Sequence, residues 1–415
     1  MTAFYDDLET RPPAQREAAL MAALPRQVAH AQQASPALSA ILQGVDASTI
    51  TSRTALARLP VTRKSELLER QKASRSADAF GGFATRRRGR EMPRIFASPG
   101  PIYEPDGRTQ DYWRAARALY AAGFREGELA HNAFSYHMTP GAFIMESAAH
   151  AVGCTVFPAG TGQTEQQLQA IAELRPDAYL GTPSFLRILV EKAAETGTDI
   201  SSIRKALTGG EALPPSLRDW FVEHGMAVYQ SYATADLGLI AYETPAREGL
   251  VVEESVIVEI VRPGTGDPLP EGEVGEVVVT TLNPDYPLIR FGTGDLSAVL
   301  RGACPSGRTN QRIKGWLGRA DQTTKIRGMF VHPGQVADIA RRFPEVLKAR
   351  LVVSGEMAND TMTLKVEAAS MPQGLDARIG EAVRDVTKLR AAVELHPPGS
   401  LPNDGKVIED ARSYK

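Results

Sequence analysis

From residue 109 to 230 the sequence alternates between helix-like and strand-like segments, and few architectures accept that order. Residues 109–123, 141–153, 164–175, 185–197 and 214–225 place apolar side chains at helical spacing. Residues 129–135, 154–160, 177–183 and 203–211 between them read as strands bounded by Gly and Pro. A helical crossover returns the chain to the same end of a sheet, so such strands run parallel. The expected core is α/β: a doubly wound parallel sheet with helices on both faces.

The flanks follow other rules. Residues 14–72 read mainly as helices, with Thr62 as the expected N-cap of SELLERQ. TRRRGREMP reads as a loop, and RIFASPGP as a strand entering a tight turn. After residue 250 the period becomes two, and LVVEESVIVEIVRP, EVGEVVVTTL and YPLIRFGTGDLSAVL read as antiparallel strands of a small barrel or second sheet. VLKARLVVSG, TMTLKVEAA and an amphipathic helix at 375–390 imply a compact α+β tail. The boundaries that result are a large N-terminal domain, 1–320, and a small mobile C-terminal domain, 321–415. Within the first, about 1–80 is helical, about 90–245 α/β and about 250–318 β-rich.

With 415 residues, more than one hydrophobic core is expected. A net charge of -2 offers nucleic acid or an anionic membrane no electrostatic grip, and the Arg86–Arg88 run reads as solvated surface. No segment approaches the ~20 apolar residues of a membrane span, and two cysteines fit a reducing, cytoplasmic setting. A four-ligand zinc site is not expected.

Ligands of open α/β sheets bind beyond the C-terminal ends of the strands, and the unusual loops fall there. In LTGGEALPP the paired glycines let a backbone lie against a flat ring, with Glu211 or backbone groups reading an amino group. The plainer alternative is a turn leading a helix, with Glu211 near its positive end. QSYATADLG, YPLIRFGTGDLS and GRADQTTKIRG follow in order, and 78 residues past the last, LPNDGKVIED carries a lone lysine, Lys406.

This series resembles the adenylate-forming (acyl-CoA synthetase) superfamily, most closely its phenylacetate-CoA ligase branch, which CPSGRT and RGMFVHPGQV also match. The resemblance spans nearly the whole chain and implies the following roles. Gly210, Glu211 and Ala212 line adenine, Tyr232 stacks on it, and Thr234 bonds phosphate. Asp236 holds magnesium, in keeping with that ion's preference for carboxylate and phosphate oxygen. Asp295 accepts both ribose hydroxyls, Arg290 orients it or approaches phosphate, and Arg319 reaches the ribose side. Lys406 is the catalytic cation, Asp321 the hinge, and Gly328 lines a tunnel for CoA. Ala233 and Asp236 depart from the family's usual Gly and Glu.

One segment breaks the pattern. Where the family carries a Ser/Thr/Gly-rich phosphate loop ending Gly-Lys-Pro, this chain has FASPGPIYEP, keeping only Ser98, Gly100 and Pro105. Pro99 and Pro101 each remove an N–H donor, and Glu104 stands where lysine is expected. A carboxylate 4 Å from a phosphate charge costs about 1 kcal/mol in water. Either another cation compensates, with Arg86, Arg87, Arg88 and Arg90 as candidates, or pyrophosphate binding is weak. In AFSYHMTPGAF, Tyr136, His137 and Met138 are expected to wall the acyl pocket, while Phe134 and Phe143 belong to the core.

The reading is therefore an acid–CoA ligase using ATP, Mg and CoA on an aryl or arylalkyl carboxylic acid, with a homodimer left open. Its alternatives are a non-catalytic nucleotide- or acyl-adenylate-binding relative and an adenylating enzyme with another acyl acceptor.

Overall fold

The computed structural model describes residues 3–317, 319–320, 322, 324–331, 333–355, 360–402 and 406–412. The chain folds as two compact units, Met1–Leu317 and Gly318–Lys415.

A nine-stranded sheet organises the first unit. Thr155–Phe157, Leu129–Asn132, Ala178–Gly181, Lys205–Thr208 and Ala227–Thr234 lie side by side and parallel. The helices Gly141–Val152, Thr164–Leu174, Pro183–Thr196 and Pro215–Glu223 make the crossovers. Past Ala227–Thr234 the sheet turns antiparallel through Gly238–Glu243, Leu250–Val252, Arg312–Ile313 and Val299–Leu300. The α/β class holds, but the sheet is mixed rather than all parallel. The cause is local: the turn after Thr234 is too short for a crossover, and Leu237 N–H donates to Thr234 Oγ1 at 3.1 Å to close it.

LVVEESVIVEIVRP does not form one strand. Leu250–Val252 joins the main sheet, whereas Val256–Val261 joins Gly275–Thr281 and Phe291–Ser297 in a second, antiparallel sheet. Between them Glu253 pairs with Arg114 and Arg117, and Glu254 with Arg16 at 2.7 Å and Arg11 at 3.0 Å. Those ion pairs turn both glutamates into the interior and bend the chain from one sheet to the other.

Two helix starts differ from expectation. Thr62 is no N-cap, because Thr62–Arg63 pairs in parallel with Phe291 and Gly292 and the helix Lys64–Ser74 begins after it. The expected helix over 109–123 shrinks to Ala116–Ala121. Asp111, at φ 49, accepts from the N–H groups of Ala115 and Ala116 at 2.8 and 2.9 Å and so caps the helix from five residues upstream.

In the second unit the strands Ala392–His396, Thr361–Ala368, Val346–Ser354 and Ile408–Asp410 form a sheet in that order. The helices Pro333–Arg341 and Leu375–Thr387 bury Val336, Ile339, Ile379 and Val383 in one core with Leu351, Val353, Leu364 and Val366 of the sheet. No described helix is long and apolar enough to cross a membrane.

Candidate active site

Tyr232 sits near the end of the last parallel strand, where a register shift between Tyr232 and Ala233 interrupts pairing with the next strand. Such bulges re-aim side chains. The Tyr232 hydroxyl donates to Asp295 Oδ2 at 2.9 Å and lies 3.2 Å from Thr293 Oγ1. Trp316 Nε1 donates to the other oxygen, Asp295 Oδ1, at 3.1 Å. Both oxygens of a carboxylate only 8% exposed are thus engaged. The sequence placed Tyr232 and Asp295 in one nucleotide cradle without foreseeing that they touch, and it did not single out Trp316.

Arg290 takes a different part from the one expected. It is buried, paired with Glu259 at 3.0 Å, and donates to the carbonyls of Ala57, Leu59 and Gly266 at 2.8, 2.5 and 2.7 Å. Its guanidinium is consumed in joining the N-terminal region to the second sheet, so it neither orients Asp295 nor faces phosphate. CPSGRT is likewise a structural anchor: Arg308 binds Glu9 at 2.6 Å and Thr309 Oγ1 donates to the Arg11 carbonyl at 2.6 Å.

In LTGGEALPP, Gly210 (φ 76) and Glu211 are exposed and Ala212 half-buried, just beyond the strand Lys205–Thr208. The residue whose lack of a side chain matters most for packing is Gly209. A Cβ there would meet Ser231 Oγ at 2.9 Å, so the loop lies directly against the Tyr232 strand.

Around Asp236 the structure assembles a charged group. Lys64 Nζ bonds Asp236 Oδ2 at 2.7 Å, the lysine side chain 32% and the aspartate side chain 1% exposed. Asp236 Oδ1 is buried with no hydrogen-bond partner. Glu104, which sequence comparison set against the phosphates, points inward: Ser98 donates both its N–H, at 3.2 Å, and its hydroxyl to the Glu104 carboxyl. Burial first, then the charge of Asp236, pushes the Glu104 carboxyl up to about 8, against the opposing pull of Lys64 and Ser98. At neutral pH Glu104 is therefore largely protonated, and the repulsion expected of it does not arise. Ser98, in turn, spends its donors inside the hairpin.

That hairpin, Ile95–Ser98 with Ile102–Pro105, has Gly100 (φ 157) at its tip. Helix Lys64–Ser74 laces it down. Gln71 both donates to the Tyr103 carbonyl and accepts from the Tyr103 N–H, each at 2.8 Å, and Arg75 donates to the Pro101 carbonyl at 2.6 Å. On its other side Ala97 N–H donates to the Met138 carbonyl at 2.7 Å, which ties the hairpin to the expected acyl loop. In that loop Tyr136 is half-buried, donating to Glu146 at 2.6 Å and packing edge-on to Phe143 at 5.3 Å. His137 is exposed and Met138 72% exposed, so of the three expected wall residues only Tyr136 is packed among other side chains.

The remaining expected residues belong to the second unit. Arg319 is half-buried and Lys406 exposed; Gly328 (φ 82) completes the tight turn between Thr324–Ile326 and Met329–Val331. Asp321 lies outside the described residues. Its neighbour Gln322 accepts hydrogen bonds from the N–H groups of Val407 and Ile408 through Oε1.

The fit to magnesium rests on Asp236, whose Oδ1 is a hard, unpartnered oxygen. Among the described residues no group of three or more His, Cys, Asp or Glu could hold a metal. A magnesium ion here would thus draw on phosphate oxygens as well, its usual habit.

Comparison with known proteins finds relatives over most of the chain. The family model described as AMP-binding enzyme matches residues 112–283. The phenylacetate-coenzyme A ligase of Thermus thermophilus is 32% identical, covering 96% of this chain and 96% of that protein. The phenylacetate-coenzyme A ligase of Aromatoleum evansii is 31% identical over 78% of this chain and 75% of its own length. Among solved structures, 2-hydroxyisobutyryl-CoA ligase in complex with 2-HIB-AMP and CoA superposes with a TM-score of 0.84 at 25% identity, covering 100% of this chain and 93% of that one.

Proposed function

The chain belongs to the phenylacetate-CoA ligase family of adenylate-forming enzymes, and on that footing we propose that it joins an aryl or arylalkyl carboxylic acid to CoA at the expense of ATP. The observation that carries the reading is the contact between Tyr232 and Asp295, two residues that the family pattern assigns to one nucleotide.

In the first half-reaction a carboxylate oxygen attacks the α-phosphorus, the bond to pyrophosphate breaks, and an acyl-AMP results. Both partners are anions, so catalysis consists of positioning and charge neutralisation. Lys406 neutralises charge on the pentacoordinate phosphorus, Tyr232 stacks on adenine, and Asp295, steadied by Tyr232 and Trp316, receives the ribose hydroxyls. Thr234 contacts phosphate, Gly210, Glu211 and Ala212 border the base, and Arg319 approaches the ribose. Asp236 would hold a magnesium ion, which when bound offsets phosphate charge. In the second half-reaction the CoA thiol attacks the acyl carbon, the C–O bond to AMP breaks, and the thiol proton leaves to solvent. Rotation at Asp321 exchanges Lys406 for the Gly328 turn between the two steps. Tyr136, packed edge-on to Phe143, offers an aromatic face to the acyl group.

Pyrophosphate release measured over aryl, arylalkyl and short fatty acids, with Mg-ATP and CoA present, tests the reading. Turnover with an aryl acid and formation of its CoA thioester are expected. Acyl-AMP accumulating without reaction with CoA would move the acceptor elsewhere, and no release with any acid would refute the ligase.

A further inference from the structure

We propose that Lys64, on the helix Lys64–Ser74 rather than in the hairpin, is the cation that recognises the β- and γ-phosphates of ATP and the pyrophosphate product in this chain. The proposal rests on the ligase reading and assigns to it a residue that the family's loop pattern does not supply.

Several independent observations converge on Lys64. The hairpin occupies the loop's place in sequence but offers little to an anion. Pro99 and Pro101 at its turn lack N–H donors, Ser98 has turned its donors on Glu104, and no lysine follows. Of the arginines considered as substitutes, Arg86 is held by Asp285 at 2.7 Å. Lys64 instead reaches Asp236, two residues past Thr234 and four past Tyr232, so it stands beside the segment that leads to the nucleotide.

The ion pair is lopsided. Asp236 is enclosed, whereas nearly a third of the Lys64 side chain remains exposed, so the lysine is the member of the pair that solvent reaches. An ammonium has three N–H donors and can keep Asp236 on one while giving another to phosphate. Glu104 is fully buried, with the Ser98 N–H and hydroxyl on its carboxyl, so it does not face an anion arriving from solvent.

The same helix explains why this arrangement persists. Lys64, Leu68, Gln71 and Arg75 follow at steps of four, three and four, one face of a helix. Gln71 and Arg75 hold the hairpin backbone, and a Cβ on Gly100 would come within 3.3 Å of Leu68 Cδ1. One helical face therefore carries the cation and fixes the loop that the cation replaces.

Calorimetric titration of the full chain with ATP, inorganic pyrophosphate and AMP tests the assignment, using the wild type, Lys64→Met and Lys64→Arg. Lys64→Met should weaken ATP and pyrophosphate by about 10- to 100-fold while AMP changes less than about twofold, the range expected when one charge-assisted contact is lost. Lys64→Arg should recover most of the loss. Unchanged ATP and pyrophosphate binding in Lys64→Met, or an equal fall for AMP, overturns the proposal. If Lys64→Met leaves Asp236 too poorly accommodated to fold, the double variant with Asp236→Asn is compared with Asp236→Asn alone, and an equal ATP affinity for the two overturns the proposal as well. Wild-type protein that binds AMP while ATP and pyrophosphate ignore Lys64→Met sinks this assignment alone. Wild-type protein that binds none of the three sinks the ligase reading with it.

Discussion

The Gln322 side-chain carbonyl accepts a hydrogen bond from Val407 N–H at 2.7 Å and a second from Ile408 N–H at 3.2 Å. The residue next to the expected hinge thus holds the chain just after Lys406. Gln322→Ala should loosen the lysine's placement and lower ATP–pyrophosphate exchange by about tenfold, since small displacements of a catalytic group cost rate steeply. Melting temperature should fall little. Exchange at the wild-type rate would show that the lysine is positioned by other contacts.

Lys406→Ala should reduce ATP–pyrophosphate exchange about a hundred- to a thousand-fold, by analogy with loss of one preorganised oxyanion donor. Thioester formation from supplied acyl-AMP should survive, because the proposed rotation at Asp321 takes Lys406 out of that step. The two half-reactions are assayed separately, and equal losses in both would contradict the role.

Tyr232→Phe keeps the ring proposed to stack on adenine but removes the donor to a nearly buried carboxylate. A hydrogen bond to a charged group contributes about 1.5–3 kcal/mol. AMP affinity should therefore fall about tenfold or more, measured by calorimetry, with helix and sheet content unchanged in circular dichroism. A variant that binds AMP as tightly as wild type would mean that Asp295 is adequately held by Trp316.

The Glu104 carboxyl, pushed up to about 8 chiefly by burial, is surrounded by Ser98, Lys64, Asp236 and the sealed Tyr286 hydroxyl. Between the ordinary carboxyl value and about 8, the native state keeps a proton that the unfolded chain has released. The unfolded state binds fewer protons, so stability falls as pH rises through that window and levels off above it. Glu104→Gln removes the titration. Its urea-unfolding advantage over wild type should be near zero at about pH 4.5 and grow to about 1–3 kcal/mol by about pH 8, as a bounded fraction of 1.36 kcal/mol per pH interval. A difference that does not grow with pH would place a charged Glu104 in the native protein.

Much of the candidate site was legible because its residues lie in short ordered motifs. Tyr232, Asp295 and Asp236 could be picked out from spacing and resemblance, and the α/β order from the alternation of helix and strand. What escaped was long-range. Arg290 sits inside a motif yet is captured by Glu259 and three carbonyls from elsewhere in the chain, and no local pattern distinguishes a buried arginine from a ligand-facing one. Glu104 looked repulsive because sequence gives the identity of a side chain and not its direction. Lys64 was hidden for the opposite reason. It lies 172 residues from its partner in a polar helix that carries no recognised motif. The mixed sheet turned on a tight reversal after Thr234, decided by one hydroxyl.

The pair of hydrogen bonds between Gln71 and Tyr103 carries a thermodynamic consequence. A glycine-rich strap that wraps its ligand must surrender backbone entropy at each binding event, of the order of 1–2 kcal/mol for every residue it orders. Here that freedom is given up once, when the polypeptide folds, so nucleotide capture should proceed with a small entropic penalty and little protection of the 95–105 amides beyond what the empty protein already shows in hydrogen exchange.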